Sequence, residues 1–232
     1  MTILRLLYKK NGVMKFISHL DMVRLTERTF RRAKLPLSFS NGYNPHPKIS
    51  FGAPLSVGVT SDYEVLDVEL LEEIDIKEFI ANQENYVPAG ISFFDGKYIE
   101  KSKALMSMLS DATFMLRTNP TSLGLEELRS KLDEFLSLDE IMVEKATKKK
   151  VIKQVDIKPL IGNFAIVSAD ENEIISNVTV VSGSSGTLKA DVLLKTFYKF
   201  LGEDCDPHFT RIHRTMLFGR ENGRKVPLFD MK

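Results

Sequence analysis

Residues 2–9, Thr-Ile-Leu-Arg-Leu-Leu-Tyr-Lys, are dense in large apolar and aromatic side chains and predict a buried first strand. Asn11-Gly12 is a turn signal, and Ser18 three residues ahead of Asp21 has the spacing of a helix capping box. The helix that follows is expected from about His19 to Lys34, ending before Pro36. Along it Met22, Val23, Thr26, Phe30 and Ala33 fall on one side, and Arg24, Arg28, Arg31 and Arg32 on the other. Short extended pieces are expected at Leu37–Ser40, Lys48–Phe51 and Pro54–Val59. Tyr63–Leu70 alternates apolar and acidic residues as a half-buried strand does. A second helix is expected from Asp75 to Tyr86, and further extended pieces at Ile91–Phe94 and Lys97–Ile99.

The same order then repeats. Asp111–Thr118 reads as a strand, and Leu125–Leu136 as an amphipathic helix after the Asn119-Pro120 turn. Ile141–Glu144, Val151–Ile161, Phe164–Val167 and Ile174–Val181 read as strands, with a basic turn at Lys145–Lys150. A helix at Leu188–Leu201 and a strand at Phe209–Leu217 close the set. Strand, helix, strands, helix, strand is the split βαβ order of a ferredoxin-like unit. The expectation is therefore an α+β chain of two tandem ferredoxin-like units with antiparallel sheets. Lys101–Asp111 is a change of composition and serves as the joint, giving an N-terminal domain over 1–103 and a C-terminal domain over 104–232.

Composition narrows the classes. The chain has 232 residues, 43% hydrophobic and 27% charged, as in a globular protein able to bury a core. No run approaches the roughly 18 apolar residues of a membrane span, and the first ten residues do not read as a signal peptide. A cytoplasmic, membrane-free protein is expected. Cys205 is the single cysteine, which excludes an internal disulfide, a thiolate zinc site and a cysteine-held iron–sulfur cluster. Its neighbours Glu203, Asp204 and Asp206 are acidic, which works against a reactive thiolate. Charge is unevenly spread: residues 1–50 hold ten Lys/Arg and two Asp/Glu, residues 51–100 two and eleven. The basic block either offers a surface to an anionic partner or is neutralised by the acidic block within one fold.

Candidate chemistry gathers around the arginine face. The loop Ser40-Asn41-Gly42-Tyr43-Asn44-Pro45-His46-Pro47-Lys48 couples a flexible Asn-Gly step to a histidine held between two prolines. Arg24, Arg28, Arg31, Arg32, Tyr43, Asn44, His46 and Lys48 form the expected anion- or RNA-binding set. The histidines lack the H-x-x-x-H spacing of a helical metal site. Gly183-Ser-Ser-Gly-Thr-Leu-Lys189 lacks the spacing of a phosphate loop. No metal, no cofactor and no assigned catalytic residue is expected. If the chain is an enzyme, His46 and His19 are the acid–base candidates, for metal-independent endoribonuclease chemistry. Binding requires less of the same side chains than cleavage does.

The sequences F-I-S-H-L-D, E-R-x-x-R-R-A, L-P-x-x-x-S-x-G-x-N-P-H-P-K-I-S-F and P-L-x-V-G resemble the radical-SAM-linked family of uncharacterised bacterial proteins, the domain of unknown function 2344. The resemblance is strong over Phe16–Leu70 and extends loosely to Arg214 and Pro227. It implies a partner, a radical S-adenosylmethionine protein, and a neighbourhood of RNA metabolism. This chain lacks C-x-x-x-C-x-x-C and so cannot hold the radical cluster itself. The expected function is a non-catalytic accessory that binds tRNA or rRNA and assists the radical enzyme. The alternatives are the endoribonuclease and a protein–protein adaptor that touches no nucleic acid.

Overall fold

The computed structural model describes residues 2–100, 103–146, 152–184 and 186–231. In chain order the first elements are β1 (Thr2–Lys10), α1 (His19–Arg32), β2 (Ile49–Phe51), β3 (Thr60–Leu70), α2 (Ile76–Ala81) and β4 (Ile91–Ile99). They are followed by α3 (Leu105–Met108), β5 (Leu109–Thr118), α4 (Leu125–Ser137), β6 (Met142–Ala146), β7 (Ile152–Asp156), β8 (Ile161–Ala169) and β9 (Ile174–Gly183). The last are β10 (Gly186–Thr187), α5 (Ala190–Leu201), β11 (Arg211–Glu221) and β12 (Arg224–Pro227). The fold is α+β with antiparallel strand pairing. Residues 101–102 of the expected joint and 147–150 of the expected basic turn lie outside the described residues.

The chain forms two compact units, Met1–Ser110 with Arg214–Lys232, and Asp111–His213. This differs from the expected division at 103/104: the final nineteen residues group with the first unit, not the second. The physical reason is strand pairing. β11 lies along β3 and turns back as the hairpin with β12, and the segment after it is held by Arg5.

In the first unit β1 is central, antiparallel to β3 on one side and to β4 on the other. The far edge of β3 takes β2, with Ile49 opposite Val68 and Phe51 opposite Leu66, and also takes β11. Period-two alternation turns Leu4, Leu6 and Tyr8 of β1, and Leu66, Val68 and Leu70 of β3, into one core with Met22 and Phe30 of α1 and Phe79 of α2. Phe30, Phe79 and Phe93 meet there with centroids 5.5–6.0 Å apart. Burying a ring such as Phe30 is worth about 3–5 kcal/mol against truncation to alanine.

In the second unit β9 lies between β5 and β8, with Phe114 and Phe164 both opposite Val178. The helices α4 and α5 supply Leu128, Leu132, Phe135, Leu193, Leu194 and Phe197 to a separate core. Strands β6 and β7 pair only with each other among the described residues.

Several elements are shorter than the sequence pattern implies. Leu37–Ser40 makes only single bridges, Leu37 to Leu70 and Phe39 to Pro47, because Pro36 and Pro47 remove ladder donors. The helix expected over Asp75–Tyr86 is α2 plus a 3-10 turn at Gln83–Asn85. No helix among the described residues is long and apolar enough to cross a membrane.

Candidate nucleic-acid interface

Ser18 caps α1 as its spacing implies. Its hydroxyl accepts from the Asp21 N–H at 3.2 Å and donates to the Asp21 carboxylate at 2.7 Å. The other end stops with Lys34 in the left-handed region (φ 54), where the Leu35 N–H reaches back to the Phe30 carbonyl at 3.1 Å. That closure satisfies a terminal carbonyl and turns the chain before Pro36. Met22, Thr26, Thr29 and Phe30 face inward. Arg24, Arg28, Arg31 and Arg32 are all exposed on the opposite side.

Their partners are few. Arg24 lies 3.4 Å from Asp21 on the same helix, and Arg31 lies over the Phe39 ring, 5.2 Å from its centroid. Among the described residues Arg28 and Arg32 have no carboxylate within ion-pair distance. The acidic block is engaged elsewhere. Asp67 grips Arg5, Glu64 grips Arg214, Asp62 lies 3.7 Å from Lys9, and Glu69 lies 2.9 Å from Lys48. Four of the block's eleven acidic residues are thus paired within the first unit, and none of these four contacts reaches the α1 arginines.

The loop is a closed excursion. Lys48 N–H donates to Ser38 O, Ser40 N–H donates to His46 O, and the His46 N–H donates to the Ser40 hydroxyl, at 2.9, 2.9 and 3.0 Å. Gly42 takes φ 132, a region that disfavours side-chain-bearing residues. The stem holds Asn41 to Asn44 out in solvent, and the Tyr43 side chain is fully exposed. His46 Nδ1 stands 3.9 Å from Glu27 Oε1, and Phe39 stacks on Arg31, so the stem sits along the Glu27–Arg31 edge of the arginine arc. Asn44 is exposed; Lys48 is exposed with its charge met by Glu69. The structure therefore brings His46 and the Phe39 stem to the Glu27–Arg31 edge of the arginine face, with Tyr43 exposed in the loop they carry.

His19 goes elsewhere. It begins α1, packs edge-on to Phe51 with centroids 5.4 Å apart, and lines a recess with Tyr8, Lys10 and Glu64. Eight residues of helix, about 12 Å of rise, separate it from Glu27 beside His46. Phe39 is absent from the expected set, although it is the one aromatic side chain of the Leu37–Ser40 piece. Lys10 and Glu64 are also absent. Their signal lies in the alternation: Lys10 continues the core-facing row Leu4-Leu6-Tyr8, and Glu64 the row Leu70-Val68-Leu66, where a charge is out of place.

This arrangement can hold a polyanion by charge and stack a planar group on Tyr43. Cys205, in the second unit, is half-buried, lies 3.3 Å from Thr210 Oγ1, and has its thiol pushed up by burial. That environment does not make a reactive thiolate.

The fold is similar to that in the crystal structure of a Cbf5-Nop10-Gar1 complex, with TM-score 0.53 and 11% identity, covering 93% of this chain and 48% of that one. It is also similar to the structure of an H/ACA RNP bound to a substrate RNA containing 2'-deoxyuridine, with TM-score 0.50 and 10% identity, covering 93% and 47%. The chain thus spans about half the length of the chains it matches, and at this identity the likeness is one of fold. No curated protein matches the sequence. Residues 4–190 match a family described as an uncharacterized protein conserved in bacteria, DUF2344, and the chain belongs to that family.

Proposed function

We propose that the protein is a non-catalytic accessory that binds structured RNA, tRNA or rRNA, through α1 and the Ser40–Lys48 loop. The observation that carries this reading is the arginine face: Arg28 and Arg32 have no acidic partner among the described residues, and Arg24 and Arg31 flank them on the same exposed side. Arginines left uncompensated beside an exposed aromatic suit phosphate contacts with base stacking. Tyr43 supplies the stacking surface, and Asn44, His46 and Lys48 supply polar contacts at its base.

Both units are read as ferredoxin-like, split βαβ arrangements. In support, the first unit runs β4-β1-β3-β2 across its sheet, and the second places β9 between β5 and β8. The fold's likeness to a protein in an H/ACA RNP bound to substrate RNA agrees with an RNA partner. We take the catalyst to reside on a partner radical S-adenosylmethionine protein, as the sequence resemblance implies, and read both as cytoplasmic.

Filter binding of purified protein to total tRNA at low salt tests the reading. Binding is expected for the native chain, with loss of at least tenfold for Arg28→Glu. No binding, or binding indifferent to Arg28→Glu, overturns it. Capture of a radical enzyme that survives nuclease treatment, without any tRNA binding, identifies an adaptor instead.

A further inference from the structure

The β6–β7 ribbon holds a block of positive charge that the arginine face does not include. Both strands belong to the second unit, and they pair in register from Met142 opposite Asp156 to Ala146 opposite Ile152. The base is fixed: the Asp156 carboxylate accepts the Ile141 and Lys158 N–H groups at 2.9 Å each, and Val143 packs against the second core. Val143 pairs with Val155 on one face of the ribbon, and by period-two alternation Lys145 and Lys153 form the next pair on that face. Beyond the valines Glu144, Lys145, Ile152, Lys153 and Gln154 are all exposed. In the sequence the strands are joined through Thr147-Lys148-Lys149-Lys150-Val151, so residues 145–153 hold five lysines and no acidic residue.

The charges on the described strands are left unmatched. Lys145 and Lys153 stand directly opposite one another, and like charges so placed repel. Neither has a carboxylate within ion-pair distance among the described residues. The single acidic side chain of residues 143–155 is Glu144, which lies on the other face, where its carboxylate accepts from Gln154 Nε2 at 3.3 Å. Elsewhere in the second unit Lys131 and Lys195 are paired within their own helices, with Glu134 at 2.8 Å and Asp191 at 4.0 Å.

We propose that the β6–β7 ribbon is a second RNA-contacting element, an arm that meets phosphate through Lys145 and Lys153. This deepens the function proposed above and rests on its RNA partner, while adding residues of the second unit to the binding surface. A phosphate near both ammonium groups replaces their mutual repulsion with attraction to each. A lysine is a point charge without the planar fork of arginine, so the contact follows the backbone and not the base sequence. A protein interface centres on buried apolar or aromatic anchors and is depleted in lysine. The exposed apolar side chains of the ribbon, Met142 and Ile152, lie on the face away from the lysine pair. Phosphate contact needs only the charge.

The test is the salt dependence of total tRNA binding by the full chain, native and carrying Lys145→Gln with Lys153→Gln. The double variant is expected to bind more weakly at low salt. Its slope of log K against log salt is expected to be shallower by two contacts of about 0.7–0.9 each. Because glutamine removes the cross-strand repulsion, the variant is expected to be at least as stable as the native chain in urea at low salt. Weaker binding by a folded variant is then a loss of contact. An affinity and slope equal to the native ones overturn the arm and leave the arginine face standing. Binding that survives Arg28→Glu but falls in the ribbon variant supports the arm and overturns the reading of α1. No tRNA binding by the native chain overturns both. Binding to poly-L-glutamate that the ribbon variant loses, with tRNA binding unchanged, assigns the lysines to an acidic protein surface and overturns the RNA arm.

Discussion

The guanidinium of Arg31 lies over the ring of Phe39, 5.2 Å from its centroid, and this contact joins the arginine helix to the stem of the exposed loop. Phe39 is 38% exposed, so its ring is partly covered and partly open to solvent. Cation–π contacts at exposed sites are worth about 0.5–1 kcal/mol. Phe39→Ala is therefore expected to lower stability by about that much, plus about 1–2 kcal/mol for the covered ring area, in urea denaturation. The larger effect is expected on RNA affinity, since Arg31 loses the surface that orients it. An unchanged affinity in Phe39→Ala would remove Arg31 from the binding surface.

Glu64 and Arg214, 150 residues apart in the chain, form a doubly hydrogen-bonded pair with both side chains almost fully buried. Removing one partner of such a pair leaves a charge without compensation, a loss of about 3–5 kcal/mol. Glu64→Gln and Arg214→Met are each expected to show that loss in equilibrium urea unfolding. The double variant is expected to lose less than the two singles combined, because neither charge remains. Additive losses would show that the two side chains act independently.

Tyr198 sets a pH limit on the second unit. Its hydroxyl is 2.7 Å from both Thr118 Oγ1 and the Asn119 carbonyl, and burial pushes its pKa up to about 12. An unfolded tyrosine ionises near 10, so the folded value is the higher one. Its contribution is therefore fully present below about pH 10 and is lost as pH rises towards about 12. Tyr198→Phe is expected to be less stable than the native chain at neutral pH, with the difference shrinking steadily above about pH 10. A difference that stays constant through that window would place the tyrosine's ionisation outside the folding equilibrium.

Much of the architecture could be read from residue pattern because it depends on local signals. The Ser18–Asp21 cap, the two faces of α1, the alternation of β3 and the Asn-Gly step of the loop each act within a few residues. What could not be read depends on pairing across distance. Charge counts carry the sign of the acidic block but not its destinations, since Glu64 reaches Arg214 and Asp67 reaches Arg5 through sheet register. The grouping of Arg214–Lys232 with the first unit likewise rests on long-range pairing, with β11 running along β3. The recess residues are visible as charges on a core-facing row, yet their convergence with His19 requires the crossing of α1 over β1.

The central claim is that the α1 arginines contact phosphate. It is tested most directly by the salt dependence of tRNA affinity for the native chain and for Arg28→Gln. Each phosphate contact contributes about 0.7–0.9 to the slope of log K against log salt. The native slope is expected to be steeply negative, and Arg28→Gln is expected to be weaker and shallower by about one contact. Native binding that is absent or insensitive to salt, or an Arg28→Gln slope equal to the native one, would contradict the claim.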